Sequence, residues 1–243
     1  MHEPVDDVAA HAEERARNAE ILSIVAHDIR GPLGVILVAV SELLDGRVGA
    51  VTDEQRALVQ LVRRSCERLG RLAANVAFLE KASTGEPALS RTSLDLRDIA
   101  RRAVESFERS GEVGKRLKIT LRVPEERVGI EGDAELLVQA CVNVLANAVR
   151  AGKAEIIVSV ESDAGVPVLL VDDDGPGIPD AMRPTLFESK CRGAGEREPR
   201  GLGLPIVRGI LQAHGAAVTA GSRPVTDGRP AGARIRMAFG PQL

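Results

Sequence analysis

Apolar residues recur at Leu22, Val25, Ile29, Leu33, Ile36, Val40 and Leu43, the three-and-four spacing that lines one face of a helix. Helix formers from Ala12 lead into this stretch, and Asp45-Gly46-Arg47-Val48-Gly49 ends it near Leu44. Thr52-Asp53-Glu54-Gln55 then reads as a capping box, the Thr hydroxyl at the N-cap and a Gln three residues on. A second long helix follows to about Lys81, apolar at Leu58, Val62, Leu69, Leu72, Val76 and Leu79 with Ser65 as a gap. Two such helices joined by a short turn predict an antiparallel hairpin. A lone hairpin cannot bury both stripes. The chain's own second domain could cover them, but the length of the pattern favours a homodimer, a four-helix bundle made from two hairpins.

After the hairpin the period changes. Ser83-Thr84-Gly85-Glu86-Pro87 is linker-like, and the chain divides on this reading into a hairpin domain at 1–84, a linker at 85–91 and a second domain at 92–243. In the second domain the pattern predicts a helix over 94–109 and a strand over 118–123 that stops at Pro124. Asp133 caps a helix running to about Arg150, and β-rich runs at 155–160 and 166–171 flank an Asp-Ala-Gly turn. A Gly/Pro-rich region covers roughly 173–201, a helix 204–213 closes at His214-Gly215, and strands at 216–220 and 233–239 finish the chain. Helices and strands in this mixed order predict a two-layer α/β sandwich, so the fold class is α+β: a long helical hairpin, then the sandwich.

Composition narrows the function classes. The 243 residues suffice for two ordinary domains, and the 44% hydrophobic content supports a core. With four Phe and neither Trp nor Tyr, that core is Leu, Val, Ile and Ala. A net charge of −3 without a basic run argues against a nucleic-acid partner. Cys66, Cys141 and Cys191 are odd in number and lack metal-ligand spacing, which suits a reducing compartment; Cys141 reads as core, and Cys191 as a loop residue. No apolar run reaches membrane-span length and the polar N-terminus does not read as a leader, so a cytoplasmic protein is expected.

The candidate chemistry begins at His27. At 100° per residue it lies ~140° from the centre of the first apolar stripe, among the small residues Ser23, Gly31, Gly34 and Ser41. An imidazole held clear of the seam can be reached by another domain. Asp28 can hold one ring tautomer or take its proton, and Pro32 removes a helical N–H and predicts a kink. Taken alone, the same residues read better as a solvated histidine beside an acid.

Three later segments add to it. Asn143 and Asn147 are four apart and Arg150 three further on, so one helix face offers neutral oxygens suited to Mg²⁺ and a cation suited to phosphate, or else is a polar helix side. Asp172-Asp173-Asp174-Gly175-Pro176-Gly177-Ile178 ends a β-run in carboxylates, one of which could accept from an exocyclic amine such as adenine's; as a bare pattern it is also an ordinary loop. Arg200-Gly201-Leu202-Gly203-Leu204-Pro205 opens a helix whose first N–H groups form an anion site. Between the last two lie Lys190, Arg192, Arg197 and Arg200, a triphosphate lid or a plain loop.

Taken in order, His27-Asp28-Ile29-Arg30-Gly31-Pro32-Leu33, Asn143 with Asn147, Asp173 with Gly175, Gly177 and Ile178, Phe187-Glu188, and Gly201-Leu202-Gly203-Leu204 resemble the sensor histidine kinases of two-component signalling. Each box is weak alone, and the five together cover about residues 20–240. The resemblance implies a dimerising phosphotransfer hairpin followed by an ATP-binding sandwich of the Hsp90/gyrase/MutL type. It implies His27 as phosphoacceptor with Asp28 as acid/base partner, and Asn147 as the Mg²⁺ ligand. Asn143 and Arg150 would act at the phosphates, Asn143 standing where related ATPases carry a water-activating Glu. Asp173 would read adenine, helped by Gly177, with Gly175 and Ile178 in the same box. Arg200, Gly201, Leu202, Gly203 and Leu204 would line the triphosphate side, and Phe187 and Glu188 open the lid. The implied activity is an ATP-dependent autokinase that passes its phosphoryl group to a response-regulator receiver. The alternatives are a degenerate kinase acting as a docking module and a phosphotransfer protein that does not use ATP. Two departures stand out: Gly31 replaces the family's Thr or Asn four residues after the histidine, and Pro199-Arg200 replaces the start of the usual Gly-x-Gly-x-Gly. Absent sensing domains imply either a separate sensor protein or a fragment. His214 reads as a helix-end cation and hence structural.

Overall fold

The computed structural model describes residues 25, 28–83, 89–110, 117–188, 203–223 and 232–240. The chain divides into two units, Met1–Ala88 and Leu89–Leu243.

In the first unit, α1 spans 28–44 and α2 spans Asp53–Ser83. The chain turns at 45–48, and Arg56 Nη1 donates to the Leu44 carbonyl at 3.1 Å, tying the start of α2 to the end of α1. The capping box forms in both directions: Gln55 N–H donates to Thr52 Oγ1 at 3.2 Å, and Thr52 N–H donates to Gln55 Oε1 at 2.9 Å. The apolar stripes divide in a way their spacing alone does not show. Leu33 and Val40, seven apart in α1, are buried, as are Cys66 and Ala73, seven apart in α2, together with Asn75 and Phe78. Ile29, Ile36, Leu58, Val62, Leu69 and Leu72, by contrast, are 40–65% exposed. A single hairpin covers one seam, built in α2 partly from small side chains, and leaves most of its large aliphatic residues on a second one.

The second unit is a five-stranded sheet of order β2-β4-β5-β7-β6, with a separate two-stranded ribbon β1-β3. In chain order the elements are β1 (Thr92–Asp95), α3 (Leu96–Arg109), β2 (Lys118–Arg122), β3 (Gly129–Gly132), α4 (Ala134–Ala151), β4 (Glu155–Asp163), β5 (Val166–Asp173), α5 (Gly203–Ala213), β6 (Ala217–Ser222) and β7 (Ala233–Ala238). β2 and β4 are parallel and the other pairs antiparallel. The three helices contact the sheet through α3 on β4 and β2, α4 on β5 and α5 on β6, which makes two layers. Side chains alternate across the sheet. Ile156, Leu169 and Met237, each essentially inaccessible, lie on the other side of the strands from the small cluster of Val168, Leu170 and Ala238. On that second face Arg234 pairs in bidentate fashion with Asp172 across from it, Nε to Oδ1 and Nη2 to Oδ2 both 2.7 Å.

Two elements correct the sequence-based expectation. The helix placed from residue 94 begins at Leu96, with Asp95 as its N-cap, because Thr92–Asp95 is a strand paired with Gly129–Gly132. Neither four-residue strand is long enough to show a period, and Gly at both ends of β3 reads as a loop. A 3-10 turn, Asp180–Met182, also interrupts the region expected to be loop.

Candidate functional site

The site is assembled from three elements that meet at one end of the sheet. α4 is capped by Asp133, whose Oδ1 accepts from the N–H groups of Glu135 and Leu136 at 3.1 and 3.2 Å. From that fixed start the helix carries Asn143, Asn147 and Arg150 to the rim of one cavity. Asn143 is buried and Asn147 half-buried, while exposed Arg150 donates from Nε to its own helix at Ala146 O, 3.2 Å.

β5 ends in three consecutive aspartates, and alternation gives them three jobs. Asp172 faces away and holds Arg234. Asp174 accepts from the N–H groups of Lys153, Ala154 and Glu155 at 2.7–3.1 Å and so closes the turn into β4; those bonds hold its carboxyl below the usual range. Asp173, 4% exposed, points into the cavity. Its Oδ1 accepts from Gly175 N–H at 2.8 Å and Ala233 N–H at 3.2 Å, which fixes the carboxylate plane and leaves Oδ2 to a ligand. Burial pushes the Asp173 carboxyl up, the two N–H donors oppose that shift, and Asp174 and Asp172 add to it. β7 approaches this closely only because residue 232 is Gly: a Cβ there would lie 1.7 Å from the Asp173 carbonyl oxygen.

The cavity, about 310 Å³, is lined by Asn143, Asn147, Arg150 and Asp173, by Gly177 and Ile178 after β5, by Glu188, and by Gly203, Leu204 and Pro205 at the start of α5. It thus brings a hydrogen-bond acceptor, amides, a guanidinium and a helix N-terminus onto one cavity wall, a set of groups suited to an amine-bearing ring with a polyanionic tail. The amide oxygens of Asn143 and Asn147 suit a hard divalent cation that keeps waters and shares phosphate oxygens. Among the described residues no cluster of three or more His, Cys, Asp or Glu exists to cage a metal by itself.

Two of the expected site residues stand elsewhere. Gly175 does not line the cavity; its N–H orients Asp173. Phe187 is buried and lines a second recess of about 470 Å³, with Arg183, Arg208 and β6, so its ring is not part of the cavity wall. Asp28 lies exposed on α1. His27, Arg200, Gly201 and Leu202 lie outside the described residues, as does Cys191. Ala233 also belongs to the site, with no signal in the sequence: it acts through its backbone, which no side-chain pattern can announce. Cys141 is buried, its thiol pushed up to about 12 by desolvation, so it packs as an apolar group.

Both units match known families. Residues 17–85 match the model of the His Kinase A (phospho-acceptor) domain, and residues 132–242 that of the histidine kinase-, DNA gyrase B- and HSP90-like ATPases. The chain is 31% identical over 234 residues to the probable sensor histidine kinase TcrY of Mycobacterium tuberculosis, covering 92% of this chain and 48% of that protein. It is 29% identical to the sensor protein KdpD of Escherichia coli over 88% of this chain and 24% of that one. It therefore spans about half or less of these relatives' length. Among solved structures, full-length ShkA in complex with AMPPNP matches 90% of this chain and 45% of that one at 26% identity and a TM-score of 0.60. The mycobacterial sensor histidine kinase MprB matches 61% of this chain and 97% of that one at 27% identity and a TM-score of 0.51. Among the described residues no helix is long and apolar enough to cross a membrane.

Proposed function

This chain belongs to the sensor histidine kinases of two-component signalling, and on that premise we propose that it is an ATP-dependent autokinase that phosphorylates His27 and passes the group to an aspartate of a receiver domain. The observation that carries the reading is Asp173: a buried carboxylate, one oxygen held by two backbone N–H groups, that lines the cavity together with Asn143, Asn147 and Arg150. Adenine's exocyclic amine donates to Asp173, and the phosphates lie toward α4 and the start of α5. Mg²⁺, when bound, neutralises phosphate charge; the Asn147 oxygen is the ligand that would hold it. A ring nitrogen of His27 attacks the γ-phosphorus, the bond to the β–γ bridging oxygen breaks, ADP leaves, and the ring proton passes to Asp28 or water. The receiver carboxylate then attacks the phosphorus and the imidazole leaves. Asn143, an amide where an ATPase needs a carboxylate, cannot deprotonate water, which favours transfer over hydrolysis. Incubation with γ-labelled ATP and Mg²⁺ tests the reading: an acid-labile, base-stable label supports it. Nucleotide binding without label indicates a docking module, and label acquired only from a phosphorylated receiver indicates an ATP-independent phosphotransfer protein.

The outward stripe of Ile29, Ile36, Leu58, Val62, Leu69 and Leu72 supports a homodimer through the hairpin. Light scattering on the full chain is expected to give twice the chain mass; a monomer mass at micromolar concentration would overturn this.

Gly31 bears on the reverse reaction. A Cβ added there meets no atom of this chain within 4 Å, so the hairpin leaves room for a side chain at position 31, and Gly31→Thr puts a hydroxyl four residues from His27, where the family positions water. The expected result is a receiver-phosphatase rate about a hundredfold above wild type, the lower end of what a positioned polar group supplies. Rapid dephosphorylation by the wild type would refute this account of Gly31.

A further inference from the structure

His214, at the C-terminal end of α5, is buried and makes two hydrogen bonds that fix its state. Its Nε2 lies 2.9 Å from the N–H of Asp133, an obligate donor, so Nε2 is the acceptor. Nδ1 therefore carries the proton and donates to the Ile210 carbonyl at 2.7 Å. The ring is a neutral imidazole, not the helix-end cation expected from the sequence. Residue 132 must be Gly for the ring to sit there: a Cβ would lie 2.7 Å from its Cδ2.

The bond to Asp133 has a consequence for the nucleotide site. Asp133 is the N-cap of α4, and α4 packs along α5. At the other end of the same pair, Gly203 and Asn143 line the same cavity, close enough that a Cβ on the glycine would lie 3.7 Å from Asn143 Cβ. Ten residues separate Asp133 from Asn143 and eleven separate Gly203 from His214, about 15 Å of helix in each case. The two helices thus run side by side from the His214–Asp133 bond at one end to the nucleotide cavity at the other. We propose that His214 is a positioning residue for the nucleotide pocket, holding α5 in register against α4 through a bond that only its neutral ring can make. The inference rests on that pocket binding a nucleotide.

Protonation would set an Nε2–H against the Asp133 N–H, two donors facing each other. Burial already holds the ring below the usual histidine value, and Arg91, which donates to the Ala213 carbonyl at 2.8 Å, pushes the same way; the Ile210 carbonyl and the Asp133 carboxylate oppose them. Glu131 is the other charged group lining the recess of about 280 Å³ onto which the ring opens, and Phe239 and Gly240 bring no charge from beyond β7. A neutral form favoured in the fold is fully stabilising above the ordinary histidine pKa of 6.5, and that stability is lost as pH falls below it. By reciprocity nucleotide should depress the ring's titration further, and acid should weaken nucleotide binding.

The test uses binding of an ATP analogue to the full chain with Mg²⁺ between about pH 5.5 and about pH 8; binding is read instead of phosphorylation because attack by a histidine nitrogen is itself pH-dependent. His214→Gln can offer one acceptor and one donor at similar spacing and cannot be protonated, so it also subtracts titration of the γ-phosphate. Wild-type affinity is expected to fall about fivefold or more toward the acid end relative to His214→Gln, the lower end of ordinary coupling, and His214→Phe to be weakened at every pH. Parallel pH profiles for wild type and His214→Gln would overturn the proposal, whereas failure of the wild type to bind at any pH would overturn the nucleotide reading instead. Nitrogen-15 spectra of the ring decide independently of nucleotide: an Nδ1–H tautomer at about pH 8 supports the positioning role, and an Nε2–H tautomer removes it.

Discussion

His27→Gln, incubated with γ-labelled ATP and Mg²⁺, is expected to carry no acid-labile, base-stable label while binding nucleotide as tightly as the wild type. The two halves of that result come from different parts of the chain. Gln keeps a polar side chain of similar reach but has no ring nitrogen with a lone pair to attack phosphorus, so the covalent intermediate cannot form at position 27. The binding determinants, Asp173, Asn143, Asn147 and Arg150, all belong to the unit that begins at Leu89, whereas residue 27 belongs to Met1–Ala88. Substitutions in separate units act independently unless they share a partner. Label falls to background, then, with no change in nucleotide Kd. Label retained by the variant would move the phosphoacceptor elsewhere; joint loss of label and binding would mean that the substitution had disturbed more than the nucleophile. Asp28→Asn refines the same measurement, since an exposed neighbour that only orients the ring or takes its proton slows labelling without abolishing it.

How far the sequence anticipates the structure depends on whether a feature is written in side chains or in backbone. The capping box at Thr52 and Gln55 and the N-cap at Asp133 are local, carried by residue types at fixed spacing, and both form as the pattern predicts. Asn143, Asn147, Arg150, Asp173 and Gly203 also line one cavity; helix periodicity puts the first three on one face, but their meeting with Asp173 and Gly203 was implied only by the family resemblance. What escapes is non-local. β1 and β3 stabilise each other across 33 intervening residues and neither has a signal of its own. The donors that fix Asp173 are main-chain groups, one of them from β7, sixty residues on. Phe187 follows the recess beside β6 and not its neighbour Glu188 into the cavity, a choice made by packing that adjacency in sequence cannot reveal. His214 was legible as structural, yet its charge state depends on an N–H from 81 residues away, so the helix-dipole argument alone pointed to the wrong ion. In the hairpin the large aliphatic positions mark most clearly the seam that one chain leaves uncovered, while Cys66 and Ala73, too small to stand out, belong to the buried one.

Asp173→Asn is expected to lose nucleotide affinity by about 2–3 kcal/mol, roughly 30- to 150-fold, while leaving the protein at least as stable as the wild type when no nucleotide is present. The geometry dictates the first effect. Oδ1 must stay an acceptor, because Gly175 N–H and Ala233 N–H both donate to it. An asparagine can meet that demand only by placing its amide oxygen there, which turns its NH₂ toward the cavity. The group that should accept from an adenine amine becomes a donor, so one charge-assisted hydrogen bond is lost and a donor–donor contact replaces it. The second effect follows from the sign of the carboxyl's shift. Burial, the largest influence, raises the folded-state value above the usual carboxylate one. Such a group contributes stability that is present at low pH and is lost as pH rises through the folded value, so at neutral pH the ionised form is held at a cost. The neutral isostere removes that cost and keeps both backbone bonds. The expected pattern is therefore a melting temperature at or above wild type without nucleotide, a much smaller rise on adding ATP analogue and Mg²⁺, and autophosphorylation roughly 15- to 75-fold slower at nucleotide concentrations near the wild-type Kd. A variant that melts lower while binding as well as wild type would show that Asp173 serves the fold and not the ligand.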